Sequence, residues 1–188
     1  MQRRRQLTEE IIREKNRLEK SEHPLMKENI QSHLDQLKDH LKLMDQAIAK
    51  FVSTLEHFQE KTKILTSMPG IGLTTASVLL AELPELGTLE NKKIAALVGV
   101  APMNKDSGQL QGYRKIMGGR IAVRCSLYMA AVVAIRHNAV MKKFYQRLRE
   151  KGKPAKVAIV AAMRKMITIL NQMVKYQNYW KEITVENN

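Results

Sequence analysis

The stretch Ile64-Leu65-Thr66-Ser67-Met68-Pro69-Gly70-Ile71-Gly72-Leu73-Thr74-Thr75-Ala76 reads as the end of one helix, a tight turn and the start of a second helix. Two glycines straddling one apolar residue let the turn take φ > 0 while Ile71 anchors it to a core. The free N–H groups at the new helix start, aligned with its dipole, suit a phosphate. A plain corner between two helices would use similar residues, so the turn alone leaves both readings open.

Working outward from this turn, the chain reads as helix almost throughout. Downstream, Pro84 and Gly87 precede a short helix over 91–98. A long glycine-punctuated loop then runs from Gly99 to Gly119 and contains Gly108, Gly112 and Gly118. Loops of that length without secondary structure of their own tend to carry function. Helices are expected over 120–137, 140–151 and 155–176, separated by Asn138 and by Gly152-Lys153-Pro154, each with an apolar stripe at helical spacing. Short strands are conceivable only near 98–100 and 113–117.

Upstream, Ile30, Leu34, Leu37, Leu41, Met44, Ile48, Phe51, Leu55 and Phe58 alternate four and three apart, which is a heptad a/d seam with charged flanks. An earlier helix over 7–20 is broken at Ser21-Glu22-His23-Pro24. The two helices either fold back as a hairpin, or the long one pairs with another chain as a homo-oligomer. The expected architecture is mainly α: N-terminal coiled-coil helices over 1–60, then a compact helical domain over 61–188.

Charge divides the chain at the same place. Residues 1–60 are balanced, with 11 Lys/Arg against 11 Asp/Glu, whereas 61–188 hold 21 against 7 and supply the whole net charge of +14. Within 103–165 the balance is 15 to 2. So one-sided a field in a compact domain points to a polyanionic partner, and nucleic acid is the usual one. The single cysteine, Cys125, excludes an internal disulfide. No run of the length a membrane helix needs and no signal peptide is legible, so a cytoplasmic protein without a membrane partner is expected.

The chemistry is sparse. Acidic residues beyond 61 are few, and Pro84 between Glu82 and Glu85 argues against a shared metal face, so no metal site is expected from this chain. No Walker-type loop appears. Ser107, in Lys105-Asp106-Ser107-Gly108, is the candidate nucleophile; Arg114, Lys115, Arg120 and Arg124 follow it and could neutralise a phosphorane-like transition state. Adjacency in sequence does not make Asp106 the base, which stays unassigned, and on pattern alone Ser-Gly reads as turn punctuation. Lys142, Lys143, Arg147 and Lys165 on the later helices, with Gly70 and Gly72 of the turn, complete the candidate nucleic-acid contacts. The turn itself resembles the hairpin of helix-hairpin-helix proteins that bind the DNA backbone.

Seven ordered blocks carry a wider resemblance: MPGIG (68–72), ALVGVAP (96–102), SG (107–108), GGR…R…LYMAA (118–131), IRHN (135–138), FYQRLREKGKP (144–154) and KVAIVAAMRKM (156–166). From about 65 to 175 the chain resembles the C-terminal domain of IS110/IS116/IS902-type transposases, and 3–20 with the heptad helix resembles that family's central coiled coil. The resemblance implies a DNA recombinase with an N-terminal RuvC-like domain of four acidic ligands, where Mg2+ is expected, and a C-terminal serine that attacks DNA at a site completed by another protomer. It implies DNA as partner and, in some members, a structured guide RNA. It places Ser107 on the family serine and Arg120 and Arg124 on its basic positions. The sequence departs from the family in having no acidic RuvC-like half, so the chain is expected to be inactive in DNA cleavage by itself. Two other readings remain: a non-catalytic nucleic-acid-binding protein, and a coiled-coil regulator that pairs with a full-length transposase.

Overall fold

The computed structural model describes residues 2–54, 56–103 and 115–181, arranged as two compact units, Met1–Leu55 and Glu56–Asn188.

The first unit is a two-helix hairpin of α1 (Gln2–Lys20) and α2 (Pro24–Thr54). Pro24 opens α2, where its missing N–H costs nothing because first-turn donors have no helical partner. Leu7 and Ile11 of α1 are buried against Leu34 and Leu37 of α2, with Leu18, Ile30, Leu41 and Met44 packed around them. The hairpin alternative is therefore the one adopted, and the a/d seam from Ile30 to Met44 is covered by α1 itself. Arg4 meets Asp45 at 2.5 Å, which sets the start of α1 opposite the middle of α2. Phe51 lies beyond that point and is 65% exposed. Leu55, a seam position, lies outside the described residues, and Phe58 packs against the core of the second unit.

The second unit comprises α3 (Glu56–Thr66), α4 (Leu73–Glu82), α5 (Asn91–Val98), α6 (Ile121–His137), α7 (Ala139–Glu150) and α8 (Ala155–Lys175). Helix α8 is its centre. Ala162, Met163, Met166, Ile167 and Leu170 are fully or almost fully buried against α3, α5, α6 and α7. By length and composition α8 could cross a membrane, but these residues are the core of the unit. Each buried Leu, Ile or Met side chain contributes about 1.5–3 kcal/mol of transfer free energy. Methionine suits the irregular gaps where several helices meet.

Two polar residues hold elements that are distant in sequence. Asn171, wholly buried, accepts from the N–H of Gly87 at 2.8 Å and donates to the carbonyl of Leu89 at 2.8 Å, tying the α4–α5 connection to α8. Asn138 Oδ1 accepts from the N–H groups of Val140 and Met141, capping α7 where the chain turns out of α6.

A two-residue antiparallel ladder joins β1 (Pro102–Met103) to β2 (Lys115–Ile116), with Pro102 opposite Ile116. The first strand lies beyond the 98–100 segment expected from sequence. Val98 is the last residue of α5 and is wholly buried, and Val100 is 1% exposed, so their apolar character reports packing rather than pleat.

Candidate nucleic-acid interface

The turn between α3 and α4 uses its glycines for different purposes. Gly70 has φ +105, and a Cβ there would stand 2.6–2.9 Å from the Cβ, Cα and N of Ala134, so only glycine lets the turn lie on α6. Gly72 has φ −88 and open space around it. Only one of the two therefore needs the conformational freedom expected of both. Met68 and Ile71 are the buried anchors. Gly72 caps α4 without a side-chain hydrogen bond, and Gly72, Leu73 and Thr74 are exposed. The first-turn N–H groups of α4 thus open outward with the positive end of the dipole.

A second glycine cluster closes the ends of the long loop on each other. Gly99 is the left-handed C-cap of α5, and Gly118 and Gly119 also have positive φ. The N–H of Arg120 donates to the carbonyl of Leu97 at 3.1 Å, and the Arg124 guanidinium donates to the carbonyl of Gly118. Ser107 and Arg114 lie outside the described residues. Of Lys115 the backbone is described, paired in β2.

Arg120 is committed to the fold. Its Nη1 and Nη2 meet Glu85 Oε2 and Oε1 at 2.5 and 2.6 Å, and Nη1 also donates to the carbonyl of Glu82 at 2.8 Å. This fork-on-carboxylate geometry joins the start of α6 to the end of α4. Hydrogen bonding from Arg120 holds the Glu85 carboxyl below the ordinary carboxylate range, and the same contact raises Arg120. A depressed folded pKa contributes stability above the unfolded value of about 4.3 and loses it as pH falls through the folded one. Arg120→Gln is therefore expected to unfold more easily than wild type at neutral pH, with the gap narrowing below about pH 4 in urea titrations. An unchanged gap at acid pH would show that the carboxylate is not the relevant partner. Arg120 and Arg124 are thus anchored to the protein rather than presented free, which the sequence did not reveal because Glu85 lies 35 positions away.

The free cations lie on α7 and α8. Between 121 and 181 there are 13 Lys/Arg and a single acid, Glu150. Lys142, Lys143 and Arg147 are exposed on α7, as are Lys153 and Lys156 before and in the first turn of α8. None of these joins an ion pair among the described residues. Lys165 is half-buried, and its ammonium stands 4.6 Å from the centroid of Phe144. Of the candidate contacts, the structure brings Arg147 and Lys165 together around that ring. Sequence reading treated Phe144 as one residue of an apolar stripe and missed its organising role; its i, i+3 spacing to Arg147 was the available signal.

Among the described residues no three His, Cys, Asp or Glu side chains gather as a metal site, and Glu85 is already held by Arg120. The described residues do not fit a catalytic divalent cation.

A mainly helical unit with a cation-rich face and an uncapped helix N-terminus beside a glycine turn has the electrostatics and geometry that suit a polyanion. Comparison with known proteins adds similarities. Residues 62–146 match the family model described as Transposase IS116/IS110/IS902 family. A pilin gene-inverting protein of Moraxella bovis is 28% identical over 141 residues, covering 73% of this chain and 44% of that protein. An insertion element IS110 protein of Streptomyces coelicolor is 26% identical over 137 residues, covering 72% and 34% respectively. An insertion element IS900 protein of Mycobacterium paratuberculosis is 28% identical over 120 residues, covering 60% and 29%. The chain spans less than half the length of these curated relatives.

Proposed function

We propose that this chain is the DNA-binding, serine-bearing portion of a DNA recombinase acting in transposition or inversion. The observation that carries the reading is the uncompensated cationic face of α7 and α8 in a chain that matches a transposase family model. The turn at Gly70–Gly72, read as a helix-hairpin-helix element, adds backbone N–H donors for a second stretch of phosphates.

In this reading Ser107 is the nucleophile. Its Oγ attacks a backbone phosphorus, a phosphoserine ester forms, and a deoxyribose oxygen leaves as the free hydroxyl. The resemblance supports that role. An acidic RuvC-like half from a longer or partner chain would hold Mg2+ and complete the site; the described carboxylates here are too few to do so. A structured guide RNA would share the cationic face with DNA. Self-association through 30–58 would have to use the seam beyond Met44, since α1 covers the rest.

The test is to supply a RuvC-like half in trans with labelled duplex. A covalent adduct is expected with wild type and none with Ser107→Ala, a loss of at least about a hundredfold, as expected for removal of a nucleophile. Equal adduct in both would remove Ser107 from the chemistry. The commitment of both Arg120 Nη atoms to Glu85 supports a second reading, non-catalytic nucleic-acid binding, because those donors would have to leave the carboxylate to reach a transition state. Absence of any adduct, with duplex binding retained, would select it.

A further inference from the structure

We propose that Arg147 and Lys165, gathered around the ring of Phe144, form a clamp for one backbone phosphodiester of bound nucleic acid. The clamp rests on the binding role proposed above and names one of its contact points.

Arg147 lies one turn along α7 from Phe144, its guanidinium carbon 5.5 Å from the ring centroid. Lys165 comes from α8 and reaches the same ring at 4.6 Å. Two like charges from two helices thus share one aromatic side chain, which itself packs against the core. Cation–π attraction holds each charge to the ring but does nothing for their mutual repulsion. Burial, and after it the nearby Arg147 charge, push the Lys165 ammonium below its usual range. Glu150, the one acid between 121 and 181, makes no ion pair among the described residues, and neither cation has a carboxylate partner.

A half-buried cation beside a second one is unfavourable until an anion joins them. The arrangement suits an anion with two acceptor oxygens: the guanidinium offers a planar fork and the ammonium a point charge. A phosphodiester presents two such non-bridging oxygens. The exposed Lys142, Lys143 and Lys156 on the same two helices extend the positive field beyond this point, which fits a polymer of phosphates better than a lone ion.

The experiment measures binding of the chain to a short mixed-sequence duplex across a salt series. It compares wild type with Arg147→Gln, Lys165→Met, the double variant and Phe144→Leu, each checked for helicity. Each single change is expected to weaken binding at fixed salt and to lower the log–log salt slope by less than about 0.9, because the remaining cation still meets the phosphate. The double variant is expected to lower the slope by about 0.9 in total, because both cations hold the same phosphate. Phe144→Leu should weaken binding as a single change does, with both cations still present. In wild type, Lys165 should be protected from acetylation by duplex and not by inorganic phosphate at matched ionic strength.

A wild-type chain without salt-dependent binding would overturn the nucleic-acid role as a whole. Normal wild-type binding with unchanged slopes in the variants would overturn the clamp alone. Additive loss of about 1.8 in the double variant would mean two separate phosphates and overturn the shared site. Equal protection by inorganic phosphate would assign a free-anion site instead.

Discussion

Gly119→Ala is expected to destabilise the second unit by at least about 3 kcal/mol, while Gly118→Ala, one residue away, costs about 1 kcal/mol. The two glycines share a left-handed backbone, φ +73 and +65, so the conformational penalty of adding a Cβ is similar at both. They differ in what that Cβ would meet. At Gly118 nothing lies within 4 Å. At Gly119 it would stand 2.5 Å from Gly99 Cα and from the carbonyl carbon of Val98. Those are backbone atoms at the end of α5 and cannot swing aside as a flexible side chain would. Relief requires prising apart the two ends of the loop, and with them the Arg120–Leu97 and Arg124–Gly118 hydrogen bonds. For a unit of this size the difference between the variants amounts to a gap of roughly 5–10 °C in Tm. Gly118→Asn should be milder still, since asparagine tolerates this backbone region. Equal thermal shifts in the two alanine variants would show that the ends of the loop are not closed on each other as described.

That asymmetry shows where sequence reading stops. Helix boundaries were legible because the breaking residues act locally: Pro24 opens α2, and the Pro69-Gly70 turn, Pro84 with Gly87, and Gly152-Lys153-Pro154 each fall between observed helices. The apolar stripe Val157, Val160, Met163, Ile167, Leu170 announced a core helix, and α8 is one, although its first stripe position, Val157, is exposed. The partners of these elements were not legible. A heptad seam has the same pattern whether it meets its own hairpin neighbour or a second chain, so the covering of Ile30–Met44 by α1 needed coordinates. Arg120 reads as a free cation until Glu85 is placed beside it. Two adjacent glycines look identical until the atoms around them are known. At the candidate site, therefore, charge was readable and its allocation was not. The sequence contained both the cations that hold the fold and those that face outward, with nothing local to separate them.

Separating the two kinds leads to a charge-reversal experiment with opposite signs for stability and binding. Lys156 sits in the first turn of α8, and Lys142 and Lys143 follow directly on the first turn of α7. Neither helix has an acid in its first turn, although the positive end of the dipole would favour one there by about 0.3–1 kcal/mol per residue. These lysines are thus placed against the local electrostatic preference, in a unit already crowded with positive charge. Changing all three to Glu is expected to leave helicity unchanged and Tm at low salt equal or higher. The same variant should lose duplex binding at moderate salt, its salt slope lower by about 2–3 if each lysine neutralises one phosphate. Arg120→Glu should behave in the reverse manner, because it sets a carboxylate against Glu85 and exposes the Glu82 carbonyl at the junction of α4 and α6. Its loss should appear first in Tm. If the triple lysine variant bound duplex with the wild-type slope, the outward cations of α7 and α8 would not be the surface that meets phosphates. If it unfolded at lower temperature, those lysines would be serving the fold through contacts other than the ones described.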